Sequence, residues 1–580
     1  MSRFKSFLAV LVLAAVAGFV PQAHAQTVKV MIAGSSAMWQ AIALGTYNGN
    51  KCPTGGTAPC FHYTDSSAFN LTDTRPPLKG GSNATDTGDI WIVWDSAATP
   101  NVWAYIKVDS VVGDRCYFAQ PRCNVNITTF PSAGNKISST LWGDGSSDST
   151  PPTSVQALFT ASAGLKVNVA ATDIRPEDGL FAMCRANSAQ GGGTDGLAGL
   201  GYNSNNTAGA CPTTNDNAHL VGADILSGSP GSTSSAHVIA FKISGTDPFS
   251  GTAIPASTSV SVGAAPIVFV FERQNELVGL KDATDAQLQS VFSGANCNAS
   301  AFGLSAATIE GYLREPLSGT MNTTEATVFR YPNATGKSQE TGVNHMNPLA
   351  NLSCTSGGGA RWRSIGTGEE VKLVLNSQTN FGHDGIGYTF FSYGNVSSIA
   401  NNSQYGYVTL NGIDPIFHKY GSTIDPGQPS TAGVLPAAAN LPSSCSASFP
   451  CAENKIWSGN LSFPNLRNGS YRAWSVLRLV SDGTALANVK LVAANSNTFA
   501  VTSTPDYVPF AKVSTTDPGL ALLRSHYTQE GVAPVNIATN GDKGGDMGGC
   551  ILTNTGTVAT TDTTTKLAQQ LPGTSCASVP

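Results

Sequence analysis

Short, unbroken apolar runs punctuate this chain and are separated by long polar stretches. Val28-Lys-Val-Met-Ile-Ala33 reads as a buried strand. It leads into Gly34-Ser35-Ser36-Ala37, after which Met38–Leu44 has helical spacing. Asp89–Trp94 and Val102–Val108 read as two strands joined by a Pro-containing turn. Val155–Phe159 looks helical, and Leu165–Ala171 reads as one strand that delivers Thr172-Asp173. Pro266–Phe271 is fully apolar; in Asp282–Phe292 the spacing of Leu288, Val291 and Phe292 marks one helix face. Gly385-Ile-Gly-Tyr388 opens another apolar segment, and Tyr471–Val480 is the last strong strand. Strands that alternate with helices predict an α/β protein. Residues 50–85, 133–152, 184–235 and 421–460 read as polar loops or insertions, and there is no tandem repeat or heptad pattern.

The first 25 residues stand apart from this pattern. Arg3 and Lys5 precede an apolar Phe7–Val20, and Ala23-His24-Ala25 is a small-x-small cleavage site, so a signal peptide over 1–25 is expected. No cysteine follows the cleavage site, which argues against a lipid anchor, and no later stretch is apolar enough to span a bilayer. The expected product is soluble and periplasmic or secreted. Roughly 550 remaining residues exceed one core, so two or more lobes are expected.

Charged residues are only 12% of the chain, glycine reaches 61, and the net charge is −5. That balance argues against nucleic acid or an anionic membrane as partner. Twelve cysteines fall in close pairs: 52/60, 116/123, 184/211, 297/354, 445/451 and 550/576. In an exported chain, six local disulfides stapling long loops are the economical expectation, although connectivity is not fixed by sequence. No C-x-x-C, H-E-x-x-H or His pair suggests a metal or cofactor, and spacing alone supports no Ser-His-Asp arrangement.

The richest chemistry lies in Arg314-Glu-Pro-Leu-Ser318-Gly319-Thr320. An arginine fork matches a tetrahedral oxyanion, and Ser-Gly-Thr offers hydroxyls and bare N–H groups. The alternative is a Pro-Leu-Ser-Gly turn beside a surface arginine. Gly34-Ser35-Ser36 after a strand is a second anion-cradle pattern, or an ordinary serine N-cap. Asp173, before Pro176, is either a ligand contact or an Asx-turn or cap residue.

Taken in order, these segments resemble the phosphate-binding proteins of bacterial phosphate ABC transporters, in the type 2 periplasmic solute-binding superfamily. The resemblance rests on Gly34-Ser35-Ser36, Ala170-Ala-Thr-Asp173, Pro266–Gly294 with its DAQLQSVFSG ending, Arg314–Thr320 and Gly385–Tyr388. It implies a two-lobed α/β fold with a ligand cleft between the lobes, here enlarged by long disulfide-stapled insertions. Lobe one would comprise 26–263, with an insertion over about 180–263, and 471–580. Lobe two would comprise 264–470, with crossings near 264 and 470. Ser36, Asp173, Arg314, Ser318, Gly319 and Thr320 match family anion-site positions. Ser110 is the candidate for a further serine contact, with Ser82 as the alternative.

The function implied is capture of inorganic phosphate without catalysis, for import through an inner-membrane ABC permease. Two other readings stay open: a phosphatase-like enzyme on the same cleft, and a surface protein that keeps the fold but not the transport.

Overall fold

The computed structural model describes residues 26–48, 60–72, 85–173 (less 138, 140–141, 143 and 162–163), 252–314 (less 254 and 256), 318–324, 328–329, 351–364, 367–391, 399, 402–417, 431–435 and 471–502 (less 472 and 484), with five short strands between 507 and 559. The expected signal peptide, the expected insertion over 184–235, Ser82 and seven of the twelve cysteines (52, 184, 211, 445, 451, 550 and 576) lie outside these residues.

The expected α/β architecture is present. A first sheet is built from β1 (Thr27–Gly34), β2 (Cys60–Thr72), β3 (Thr85–Asp95), β4 (Asn101–Lys107), β5 (Asn124–Asn126), β6 (Leu165–Lys166) and β7 (Val169–Thr172). β1 lies between β4 and β7 and is parallel to both. The antiparallel β2, β3 and β5 extend the sheet beyond β4. The parallel centre is fully apolar because both of its faces are covered, which is why β1 and β4 carry unbroken hydrophobic runs. Helix α1 (Trp39–Asn48) follows β1, α2 (Ser110–Phe118) follows β4, and α3 (Thr153–Thr160) precedes β6.

β8 (Thr258–Glu272) joins this sheet to a second one. Residues 258–266 pair with β16 (below); 267–272 pair with strands of the second sheet. That sheet contains β10 (Glu310–Arg314), β11 (Asn351–Ser353), β12 (Ala360–Ser364), β13 (Gly385–Phe390) and β14 (Tyr405–Tyr407), while β9 (Asp282–Ala283) pairs separately with β15 (Thr409–Leu410). β10 is parallel to both β12 and β13. Its helices are α4 (Asp285–Phe292), α5 (Gly319–Thr324), α6 (Thr367–Leu375) and α7 (Ser377–Phe381). The chain returns beside β8, where the Ile267 N–H donates to the Ala473 carbonyl (2.7 Å). It continues as β16 (Trp474–Ser481), antiparallel to β8 and β7, and then as α8 (Leu486–Thr502).

Three expectations need correction. Residues 60–72 are not loop but the strand β2, whose inward Tyr63, Phe69 and Leu71 are buried. A register shift between Asp65 and Phe69 breaks the alternation that would have revealed it. Leu165–Ala171 is two strands, not one. Asn168 interrupts it by accepting the Met31 N–H on its side-chain oxygen (2.7 Å). The third concerns the alternative reading of a surface arginine, which falls because Arg314 is 3% exposed.

Cys116–Cys123 and Cys297–Cys354 are disulfides, as the spacing suggested. Cys60 is also disulfide-bonded.

Candidate functional site: a polar cavity at the ends of two parallel strand sets

The two sheets present the C-terminal ends of their parallel strands to a common cavity. β1 ends before Ser35, β4 before Asp109 and Ser110, and β7 before Asp173. From the second sheet, β10 ends at Arg314, β12 runs toward Thr367, and β13 ends at Phe390. In open α/β sheets ligands bind outside the carboxyl ends of the strands, because the loops there are free to carry chemistry. The cavity is lined by Ser35, Ser36, Ala37, Asp109, Ser110, Asp173, Arg314, Ser318, Gly319, Thr320, Thr367 and Phe390. It is small, with about 10 Å³ open to the centre of a water-sized sphere, roughly enough for one water. All seven residues singled out in the sequence therefore meet here: Ser36, Ser110, Asp173, Arg314, Ser318, Gly319 and Thr320.

Close backbone approaches build the first wall. Gly34 has φ +139°, and a Cβ there would overlap the Ala171 carbonyl. A Cβ at Gly113 would likewise overlap the Ala33 carbonyl and Gly34. These two glycines let β7 and α2 close on the end of β1. The Ser35 N–H donates to the Ala171 carbonyl (2.8 Å), and its hydroxyl accepts from the Ala37 N–H (3.1 Å). This bond closes the turn ahead of α1 and is no N-cap, because the helix begins only at Trp39; Ser35 is buried, while Ser36 is exposed at the rim.

Asp173 is 3% exposed and held by two serines. The Ser110 hydroxyl donates to its Oδ1 in a short hydrogen bond, and the Ser35 hydroxyl donates to its Oδ2 (3.4 Å). Burial pushes its pKa up to about 6; the hydrogen bond from Ser110, a backbone N–H, the charge of Arg314 and the Ser35 hydroxyl oppose that shift without cancelling it.

Arg314 dominates the second wall. Its Nη1 donates to Thr367 Oγ1 (2.7 Å) and lies 3.5 Å from Thr320 Oγ1. Its Nε faces the buried Glu370 carboxylate at 3.8 Å. The backbone holds it from both sides. The Arg314 N–H donates to the Tyr388 hydroxyl (3.2 Å), and its carbonyl accepts from Arg363 Nη1 (2.6 Å). An arginine stays charged even when buried, so this fork brings fixed positive charge to the cavity. Ser318 caps the following turn by accepting the Met321 N–H (3.4 Å).

The walls touch directly. A Cβ on Gly319 would overlap the Asp173 carboxylate, so only glycine fits this approach. Thr323 reaches across to donate its hydroxyl to the Asp173 carbonyl (3.1 Å).

Sequence reasoning missed Ser35, Thr367, Glu370 and Phe390. Ser35 adjoins the residue chosen. Thr367 and Glu370 open a helix directly after a strand in Thr-Gly-Glu-Glu, a helix-start signal that could have been read. Among the described residues no group of three or more His, Cys, Asp or Glu side chains is placed to hold a metal ion, and no helix is long and apolar enough to cross a membrane.

No family model matches the chain, and no curated protein matches it. Solved structures do. One is a candidate phosphate ABC transporter substrate-binding protein from Clostridium perfringens with bound phosphate, at 18% identity over 42% of this chain and 66% of that one, TM-score 0.25. Another is an ABC-type phosphate transport receptor from Vibrio cholerae, at 11% identity over 41% of this chain and 66% of that one, TM-score 0.23. A third is PfluDING, a high-affinity periplasmic phosphate-binding protein bound with phosphate, at 13% identity over 83% of this chain and 90% of that one, TM-score 0.31. The chain thus spans just under two thirds of the length of the first two. Likeness at this depth carries no functional argument, so function rests on the geometry of the cavity.

Proposed function

We propose that this protein binds inorganic phosphate, without chemical change, in the cavity between its two sheets. The observation that carries the reading is the pairing of a buried Arg314 fork with a buried Asp173 carboxylate across a hydroxyl-lined cavity. Arginine and the hydroxyls of Ser36, Ser318 and Thr320 would supply the donors a desolvated tetrahedral anion requires, and Ser110 would join them by turning its hydroxyl from Asp173. The Gly319 and Thr320 N–H groups would add more. A carboxylate in such a site repels an anion unless that anion brings a proton to donate. Phosphate at neutral pH carries one and sulfate does not. A site built to receive that proton can discriminate by roughly 10⁴–10⁵-fold, because against sulfate the acceptor faces another acceptor.

The ligand would bridge two lobes, one carrying Ser36, Ser110 and Asp173, the other Arg314 to Thr320. The proposed division is 26–263 with 471–580 for one lobe and 264–470 for the other, hinged at β8 and the 471–474 return. As it stands the cavity has room for about one water, so a phosphate would enter only if the walls part and then close on it. Export by the N-terminal signal and delivery to an ABC permease complete the proposed role.

Equilibrium dialysis of the purified protein against radiolabelled phosphate tests the reading. Wild type should retain phosphate, and Arg314→Ala, at unchanged folding, should lose at least about 100-fold in affinity, as expected for removing charge-assisted bonds in a buried site. Equal retention by both proteins would contradict it.

A further inference from the structure

A second constellation lies at the far end of α1 from the anion cavity, about 15 Å along a helix of ten residues. His62, on β2, is 1% exposed. Its Nδ1 meets Asp148 Oδ1 at 2.9 Å, and its Nε2 meets Ser146 Oγ at 2.7 Å. A carboxylate only accepts, so Nδ1 carries the proton and Nε2 accepts the Ser146 hydroxyl proton. Asp148 is itself fixed, because its Oδ2 accepts from the Thr64 N–H (2.9 Å), the Thr64 hydroxyl (2.5 Å) and the Asn135 N–H (2.8 Å). Trp142 stacks on the imidazole at 3.8 Å and Tyr47 meets its edge at 4.7 Å, which sets the ring plane. Nucleophile, base and orienting carboxylate thus stand in hydrogen-bonded series, in the geometry by which an imidazole activates a serine.

Ser146 Oγ also lies 3.3 Å from the Tyr47 hydroxyl. Ser146 is partly exposed, whereas the imidazole and the Asp148 carboxylate are buried behind it. Gly145 before it has φ +74° and open space where a side chain would stand. A purely structural clip needs the buried pair and its donors; it does not need a hydroxyl on the outer end of the series beside an unobstructed glycine.

We propose that Ser146 is a base-activated nucleophile and that this site hydrolyses carboxylic esters, with His62 as general base and Asp148 as a positioning residue. Ser146 Oγ bonds to the ester carbonyl carbon as its proton passes to His62 Nε2. The carbon–oxygen bond to the alcohol breaks, and the alcohol leaves with that proton. Water then attacks the acyl-serine, gives a proton to His62, and releases the carboxylic acid as the proton returns to Ser146 Oγ. Asp148 keeps Nδ1 protonated and so keeps Nε2 free to accept. The Ser146 N–H already donates to Asp144 Oδ1 (2.9 Å), so the adjacent N–H groups of Gly145 and Ser147 would be the backbone donors to the developing oxyanion. This chemistry is independent of phosphate binding in the cavity.

The test is reaction of the full-length protein with a fluorophosphonate, which bonds to an activated serine oxygen with loss of fluoride, followed by peptide mapping. Neighbouring Ser147, whose hydroxyl meets no imidazole among the described residues, is an internal control that needs no variant. The adduct is expected on Ser146 at least about 100-fold faster than on Ser147, within the range general-base assistance provides. His62→Gln, at an unchanged melting temperature, should remove that advantage, and Ser146→Ala should abolish hydrolysis of p-nitrophenyl acetate above the buffer rate. No adduct in folded wild type, equal labelling of Ser146 and Ser147, or undiminished labelling in a folded His62→Gln protein would overturn the proposal.

Discussion

Asp173 has its pKa held near 6 by burial, which ties the stability of the protein to pH. The folded state keeps a proton that the unfolded chain releases nearer 3.8, the ordinary value. Between those two pH values the folded state binds more protons, so stability falls as pH rises, by roughly 3 kcal/mol in total from this group. Burial also raises Glu272 and Glu310, which slope the same way, so the informative quantity is a difference. Asp173→Asn should be more stable than wild type by a margin that grows from pH 4 to pH 7 in urea titrations; a margin independent of pH would mean the carboxyl is not held up. The same variant should bind sulfate better relative to phosphate, because the amide can donate where the carboxylate only accepts. Unchanged selectivity would remove the role given to Asp173.

At the scale of elements, the cavity depends on how closely strand ends and turns approach. Gly319 at the start of α5 abuts Asp173. Gly319→Ala should hold the walls apart and weaken phosphate binding by on the order of tenfold, about 1.4 kcal/mol; calorimetry showing wild-type affinity would argue that the walls do not meet around the ligand. Behind β10 and β13, Phe269 of β8 packs against Phe292, Phe329 and Tyr388 at centroid distances of 5.8, 6.2 and 5.9 Å. Phe269→Ala should cost about 3–5 kcal/mol of unfolding free energy. A loss below 1 kcal/mol would show that this aromatic cluster is not a packed support for Tyr388.

These elements also show where sequence is legible. The apolar stretches of β1, β4, β13 and the second half of β8 announce themselves because strand segments covered on both faces are mostly apolar. β2 hides behind its register shift. Helix α8 was not anticipated at all, because its buried face includes Ala493, Asn495 and Ser496. Those small residues let it approach α1, where a Cβ on Gly45 would overlap Ser496. Such packing leaves no hydrophobic stripe to read. Within the cavity, Arg314 and Asp173 stand out by residue type and order. Thr367 and Glu370 lie more than fifty positions beyond Arg314 in the chain and reach it only through the parallel pairing of β10 with β12. His62, Ser146 and Asp148 are likewise brought together by β2 and the loop that folds back on it, which no spacing rule anticipates.

For the whole molecule, two sheets share β8 and opposite charges face each other across the cavity: the Arg314 guanidinium on one side, the Asp173 carboxyl on the other. Charge alone would attract any oxyanion. In the proposed function the carboxylate would turn attraction into selection, and closure of the two walls would exclude water from the bonds. The measurement that tests this most directly is isothermal calorimetry of the mature protein at neutral pH with phosphate and, separately, with sulfate. The account predicts saturable binding of phosphate at one site per molecule and sulfate weaker by at least about 10⁴-fold. No heat with phosphate, or sulfate bound as tightly, would contradict it.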